Sequence, residues 1–208
     1  MDFFKRKPGD PLAECFEVAF DIARTVGASK SLLAHMEKHR ADPLGFLRDP
    51  SLSFETDPKA EPTTQFGLAL YGQLQEDGLV YIADPGDFPE NVPSNFLPMV
   101  RRFGFKVEPR EPELDIPRIP WKLTGPDGKA VEGVLDTRGG LAKADAKDVL
   151  DFFIELVGRT SLGVYEIDTP SEQCWLLVTT KAAYDELCRR HAERWHAYFS
   201  VGADWSPK

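Results

Sequence analysis

The chain has few cysteines and no long apolar segment. No stretch approaches the roughly 18 consecutive apolar residues of a transmembrane helix, so we expect no membrane partner. The three cysteines, Cys15, Cys174 and Cys188, are odd in number and widely spaced, which fits neither a disulfide framework nor a zinc ribbon. The first seven residues place two aromatics before a basic triplet, unlike a signal peptide. We therefore expect a cytoplasmic protein.

The sequence also lacks a catalytic motif and an excess of basic residues. It matches none of the kinase, P-loop, Rossmann, hydrolase-elbow and zinc-finger patterns. Its 25 Lys and Arg stand against 34 Asp and Glu, a formal net charge of −9. Binding to nucleic-acid phosphates needs a basic surface, so we expect no nucleic-acid partner. We also expect no cofactor and favour a protein that is not an enzyme.

Apolar residues are plentiful, at 42% of the 208 residues, which is typical of a globular protein with a substantial core. Helical and strand patterns alternate irregularly, and this favours an α+β (mixed α/β) fold. We expect about five or six helices on a mixed, largely antiparallel sheet. A single domain over residues 1–208 is predicted, with a helical N-terminal portion at 10–60 and a sheet-containing portion at 61–200.

Two hairpins are the clearest strand predictions. Apolar runs on either side of Gly125–Gly128 predict a hairpin near residues 119–136. A second pair of runs predicts another hairpin near residues 161–179. Proline makes residues 42–62 a loop-rich stretch, and a helix near 95–103 would carry Pro98 in its first turn. The remaining helices are expected at residues 10–27, 29–40, 63–76, 145–157 and 180–199, and further strands at 79–83 and 105–107.

Residues 60–100 contain no lysine or arginine but six carboxylates, so they contribute −6 of the net charge. Such a segment is often an ordinary solvated acidic face. It could also steer a basic partner protein toward this surface. We therefore predict a non-catalytic binding module of the inhibitor or accessory type. Its candidate binding residues are Glu76, Asp77, Asp84, Asp87 and Glu90.

Two alternatives stay open. Asp84, Asp136 and Asp168 each follow an apolar run, and carboxylates gathered at parallel strand ends could bind Mg²⁺ in a metal-assisted hydrolase. Aspartate is equally common at the first position of a turn, and the predicted hairpins disfavour parallel strands. The other alternative is a small-molecule-binding domain.

One His–His pair and one Cys–His pair complete the candidates. His35 and His39 lie one helical turn apart, a spacing that can hold zinc, but the sequence implies no third ligand. Cys188 and His191 share a helical face, where a packed thiol beside a hydrogen-bonded histidine is the simpler interpretation. We predict no metal site and no catalytic residue from these pairs.

Overall fold

The fold was analysed in a computed structural model. It describes residues 10–49, 59–84, 86–109, 115–167 and 173–198, with only the backbone of residues 192–198. These residues form an α+β fold of seven α-helices and two three-stranded antiparallel sheets, which confirms the predicted class. The helices are α1 Pro11–Val26, α2 Lys30–Lys38, α3 Pro43–Leu47, α4 Pro62–Glu76, α5 Asn91–Arg102, α6 Ala146–Gly158 and α7 Lys181–Tyr198. The strands are β1 Val80–Ala83, β2 Lys106–Glu108, β3 Arg118–Thr124, β4 Ala130–Asp136, β5 Leu162–Ile167 and β6 Cys174–Thr180.

The chain divides into two compact units. Unit 1 comprises Met1–Asp77 and Asp185–Phe199, and unit 2 comprises Gly78–Tyr184 and Ser200–Lys208. The helical portion expected at 10–60 therefore also takes in α4 and most of α7. The single domain over residues 1–208 stays a prediction. Within the described ranges, no helix is long and apolar enough to cross a membrane.

Unit 1 is built from helices whose ends carry the predicted signals. The side chain of Asp10 accepts a hydrogen bond from the amide of Leu12 at the start of α1, and such a cap satisfies an amide that the helix leaves free. Gly27 ends α1 in the left-handed region, at φ 90°, where glycine pays no steric penalty. The buried core between the helices holds the rings of Phe16, Phe46 and Phe66.

A polar network ties α1 to α7 within unit 1. Nε2 of His191 lies 2.7 Å from Asp21 Oδ2, and Arg190 Nη1 donates to both carboxylate oxygens of Asp21 at 2.8 and 2.7 Å. Burial opposes ionisation of Asp21, but hydrogen bonds from His191, Arg24 and Arg190 outweigh it, so the pKa of Asp21 is lowered. His191 thus contacts a carboxylate, and it lies at a kink in α7.

Replacing Asp21 by asparagine is expected to lower the free energy of unfolding by about 1–3 kcal/mol at neutral pH, because charge-assisted hydrogen bonds are lost. A carboxylate with a lowered native pKa stabilises the fold fully above its unfolded pKa, near 3.9. It loses that contribution as pH falls through the native value. Urea denaturation of both proteins should therefore show a gap that is constant above about pH 5 and closes in more acidic buffer. A gap independent of pH would contradict this.

Unit 2 contains both sheets. The first has the order β1-β6-β5 and the second β2-β3-β4, with antiparallel neighbours throughout. The predicted hairpins are β3-β4 and β5-β6. In the β3-β4 turn the Gly128 amide donates to the Gly125 carbonyl, and Gly128 adopts φ 81°. The strands thus divide into two small sheets where one larger sheet was expected.

Helix α6 contacts strands of both sheets, β4 and β5, and also packs against α5. Its aromatic rings enter the buried core of unit 2, where Phe153 meets Trp121 and Phe96. The close approach of α6 to β4 depends on Gly133. A Cβ there would lie only 3.0 Å from the ring of Phe152, so a larger residue would push the helix outward.

Two helices differ from the sequence expectation. The loop-rich stretch contains the short helix α3, whose first turn has Asp42 as its cap. Helix α5 begins at Asn91, so Pro98 lies inside it and not in its first turn. The proline is exposed, whereas Phe96 and Val100 are fully buried on the other face. Burial of the apolar face outweighs the hydrogen bond that a helical proline removes.

Candidate functional site

A concave site lies wholly within unit 2. It is a cleft of about 650 Å³ between one face of the β1-β6-β5 sheet, α6 and the beginning of α5. The cross-strand pairs Tyr81–Leu176 and Ala83–Cys174 put these four side chains on the same sheet face, because side chains alternate along a strand. Together with apolar groups of α5 and α6 they form the floor. Those further floor residues are Val92, Leu150 and Ile154.

The walls of the cleft are acidic. Five carboxylates and one lysine line it, so the formal net charge of its lining is −4. They are Asp84, Asp87, Asp145, Asp151 and Glu166, with Lys147. Carboxylates gathered over an apolar floor create a strong local negative potential, since low-dielectric walls focus the field. The cleft therefore suits a group that combines positive charge with an apolar stem.

The loop after β1 holds two of these carboxylates rigidly. Asp87 Oδ2 accepts hydrogen bonds from the Tyr81 hydroxyl at 3.2 Å and the Asp84 amide at 3.1 Å. Asp84 in turn accepts from the Gly86 amide at 2.9 Å and from the Gln173 side chain at 3.2 Å. The Gly86 amide, then Gln173, lowers the pKa of Asp84. Burial, and next the charge of Asp87, raises the pKa of Tyr81, so the phenol stays protonated and donates.

Helix α6 and strand β5 supply the other wall. Asp145 caps α6 by accepting from the Lys147 amide at 2.8 Å. The Lys147 ammonium donates to Asp151, and this hydrogen bond raises the pKa of the lysine. The only base in the lining is therefore already engaged by one of the five acids. Glu166, on β5, lies beside the thiol of Cys174, which carries no positive charge, so this carboxylate adds to the negative charge of the lining.

Cys174 is the nucleophile candidate in this cleft. Burial, followed by the neighbouring charge of Glu166, raises the pKa of its thiol to about 11. A thiol is a poor nucleophile until it ionises, so this raised pKa disfavours the reactive thiolate at Cys174. Among the described residues lining the cleft there is no histidine. The described lining therefore holds no acid–base pair centred on an imidazole.

The five acidic residues proposed from the sequence are divided by the fold. Glu76 and Asp77 end α4 in unit 1, where Asp77 accepts a hydrogen bond from the Ser29 amide at 2.7 Å. Asp84, Asp87 and Glu90 belong to unit 2. Of the five, Asp84 and Asp87 line the cleft. Glu90 immediately precedes α5 and makes no side-chain cap there.

The three-aspartate alternative gains no support from the described residues. Asp84 follows β1 in one sheet, whereas Asp136 ends β4 in the other. Asp136 accepts a hydrogen bond from the Arg138 amide, as expected for an aspartate that begins a turn. Asp168 lies outside the described residues. Within those residues, neither Asp84 nor Asp136 belongs to a group of side chains able to hold a metal ion.

Sequence reasoning missed three of the cleft carboxylates. Asp145, Asp151 and Glu166 lie on a helix and a strand more than 50 residues after β1. The sequence pattern marks Asp145 only as the start of a helix. The sequence offers one signal for Glu166. A charged residue inside a predicted apolar strand needs solvent or a partner, and this indicates a polar site on that face of the strand.

The chain was compared with protein-family models, curated proteins and solved structures. None of the three comparisons found a match.

Proposed function

We propose that this protein is a non-catalytic binding module whose acidic cleft receives a basic side chain of a partner protein. The observation that carries the proposal is the cleft itself, with five carboxylates and one lysine above an apolar floor. Lysine and arginine side chains have an apolar stem and a cationic head, so they match both parts of it. The protonated state of Cys174 further favours binding over covalent chemistry.

A small cationic molecule is the second candidate. The volume of about 650 Å³ falls within the range of about 300–1,000 Å³ that is usual for small-molecule sites. Both candidates share the chemistry of an ammonium or guanidinium group.

The three cysteines form no disulfide among the described residues, and this agrees with our proposal that the protein works in the cytoplasm.

Neutralising two cleft carboxylates tests the proposal. Asp84, Asp87 and Asp145 maintain local structure through backbone hydrogen bonds, so they are poor choices. The double variant Asp151→Asn/Glu166→Gln preserves side-chain shape and removes two negative charges. We expect it to bind a fluorescent oligo-arginine peptide about tenfold more weakly than the unaltered protein. Fluorescence anisotropy measures the affinity, which should also fall as salt is added.

The matched control is Glu132→Gln/Glu155→Gln, which removes the same charge from two exposed carboxylates of unit 2 outside the cleft. It should bind nearly as well as the unaltered protein. Equal weakening by both double variants would mean that only net charge matters, and this would overturn the proposed site. Competition by free arginine or spermidine at low concentration would favour the small-molecule candidate over the partner protein.

A further inference from the structure

Three potential metal ligands come together in unit 1, two from the end of helix α2 and one, Asp49, from the residue after the C-terminal cap of α3. His35 lies in the last turn of α2, and His39 is its C-terminal cap, one turn later. Their imidazole rings meet edge to face, with centroids 5.1 Å apart. The turn at Asp42 and the helix α3 then return the chain so that Asp49 faces both rings. One nitrogen of each histidine and one oxygen of Asp49 all lie within 4.8 Å of one another.

The distances fit a shared metal ion. Asp49 Oδ2 is 3.2 Å from His39 Nε2 and 3.5 Å from His35 Nε2. Zinc binds imidazole nitrogen at about 2.0–2.1 Å and carboxylate oxygen at about 2.0–2.2 Å, so two ligand atoms of a tetrahedral site are about 3.3 Å apart. Both observed distances are close to this ligand-to-ligand separation of about 3.3 Å. An ion could enter with small side-chain rotations and no change in the helices.

A second observation, independent of the cluster geometry, also points to a ligand. Nε2 of His35 is buried and makes no hydrogen bond, although the Asp49 carboxylate is near it. A buried nitrogen without a partner costs free energy. Coordination would use its lone pair and remove that cost. His39 Nε2, by contrast, is within hydrogen-bond distance of Asp49 Oδ2. This oxygen therefore forms a hydrogen bond with the imidazole of His39 but not with that of His35.

The surroundings hold the two imidazoles in place. The buried ring of Phe46 lies beneath both, 6.1 Å from the His35 ring and 6.0 Å from the His39 ring. A Cβ on Gly45 would come within 3.2 Å of His39 Nδ1, so the backbone of α3 also restricts that ring. The three ligand side chains retain between 18% and 25% of their exposure. An ion can therefore reach the site from solvent.

We propose that His35, His39 and Asp49 form a binding site for a divalent transition metal of the zinc type, with one coordination position left for water or an external ligand. Imidazole donors select such ions over Mg²⁺ and Ca²⁺, which prefer oxygen ligands. Sequence reasoning predicted no metal here because it lacked a third ligand, and the fold supplies Asp49. The proposal is independent of the acidic cleft, which belongs to unit 2.

Zinc titration of the full chain after chelator treatment provides the test. Calorimetry should give one zinc ion per chain, and zinc should raise the melting temperature because it binds the folded state. His35→Ala, His39→Gln and Asp49→Asn should each weaken zinc binding by at least about tenfold. Two variants serve as controls and should leave the affinity unchanged: Glu37→Gln, at an exposed carboxylate on α2, and His191→Gln, at the histidine that contacts Asp21.

Two further readouts require no variant at the site. In the unaltered protein, zinc should shift the Nε2 resonances of two histidines in nitrogen-15 spectra. Cobalt(II) should give the visible absorption of a tetrahedral complex without a thiolate charge-transfer band, which separates this site from the three cysteines. Absence of zinc binding, a cysteine thiolate band, or equal affinity of all five variants would each overturn the proposal.

Discussion

Replacement of Phe153 by alanine is expected to lower the free energy of unfolding of unit 2 by about 3–5 kcal/mol. Phe153 is fully buried. Its ring meets Trp121 edge-on at 4.9 Å and stacks on Phe96 at 6.2 Å. The variant would lose the burial of an aromatic ring and leave a cavity that its rigid neighbours cannot fill. Urea denaturation followed by tryptophan fluorescence measures the loss, because Trp121 reports on this core directly.

Phe88→Ala is the matched control for that experiment. It makes the same chemical change in unit 2, but the side chain is 65% exposed. Surface substitutions away from special features usually change stability by within about 0.5 kcal/mol. A loss at Phe153 no larger than the loss at Phe88 would contradict the assignment of Phe153 to the centre of the core.

Replacement of Phe46 by alanine is the corresponding experiment in unit 1, with an expected loss of about 3–5 kcal/mol. The ring of Phe46 is fully buried and contacts Phe16 edge-on at 5.5 Å and Phe66 by stacking at 6.4 Å. It also supports the imidazoles of His35 and His39. Hydrogen exchange should show the increased opening in the helices of unit 1, and zinc affinity should fall as the imidazoles lose their support.

Leu44→Ala in the same short helix is the control, because Leu44 is 37% exposed. It tests whether any truncation of α3 disturbs this region. Similar losses at both positions would show that the helix matters as a whole and that the ring of Phe46 has no special part. Phe46→Leu keeps most of the volume and should recover part of the stability.

Much of the fold follows from short-range signals. The cap at Asp10 and the stop at Gly27 bound α1 as expected, because helix ends leave backbone groups that nearby side chains or a left-handed residue must satisfy. The Gly125–Gly128 turn similarly predicts its hairpin, since two flanking strands can pair across it. Helix α5 departs from this rule, because burial of Phe96 and its neighbours outweighs the local effect of Pro98.

The acidic cleft shows where sequence reasoning reaches its limit. Asp84 and Asp87 belong to a segment that lacks basic residues, and that pattern is visible in the sequence. Asp151 and Glu166 join them only because β1 and β5 flank β6 and α6 packs across this sheet. Pairing between strands far apart in the chain depends on the burial of many apolar side chains together, and a local pattern does not contain it.

The sequence by itself determined the α+β class, most helix ends, both hairpins and the excess of negative charge. Each depends on residues close together in the chain, through backbone hydrogen bonds, turn geometry or composition. The tertiary structure decided that the strands form two sheets, that distant carboxylates share one cleft, and that Asp49 faces His35 and His39. Those arrangements arise when separate elements bury their apolar faces against one another, and side chains far apart in sequence become neighbours as a result.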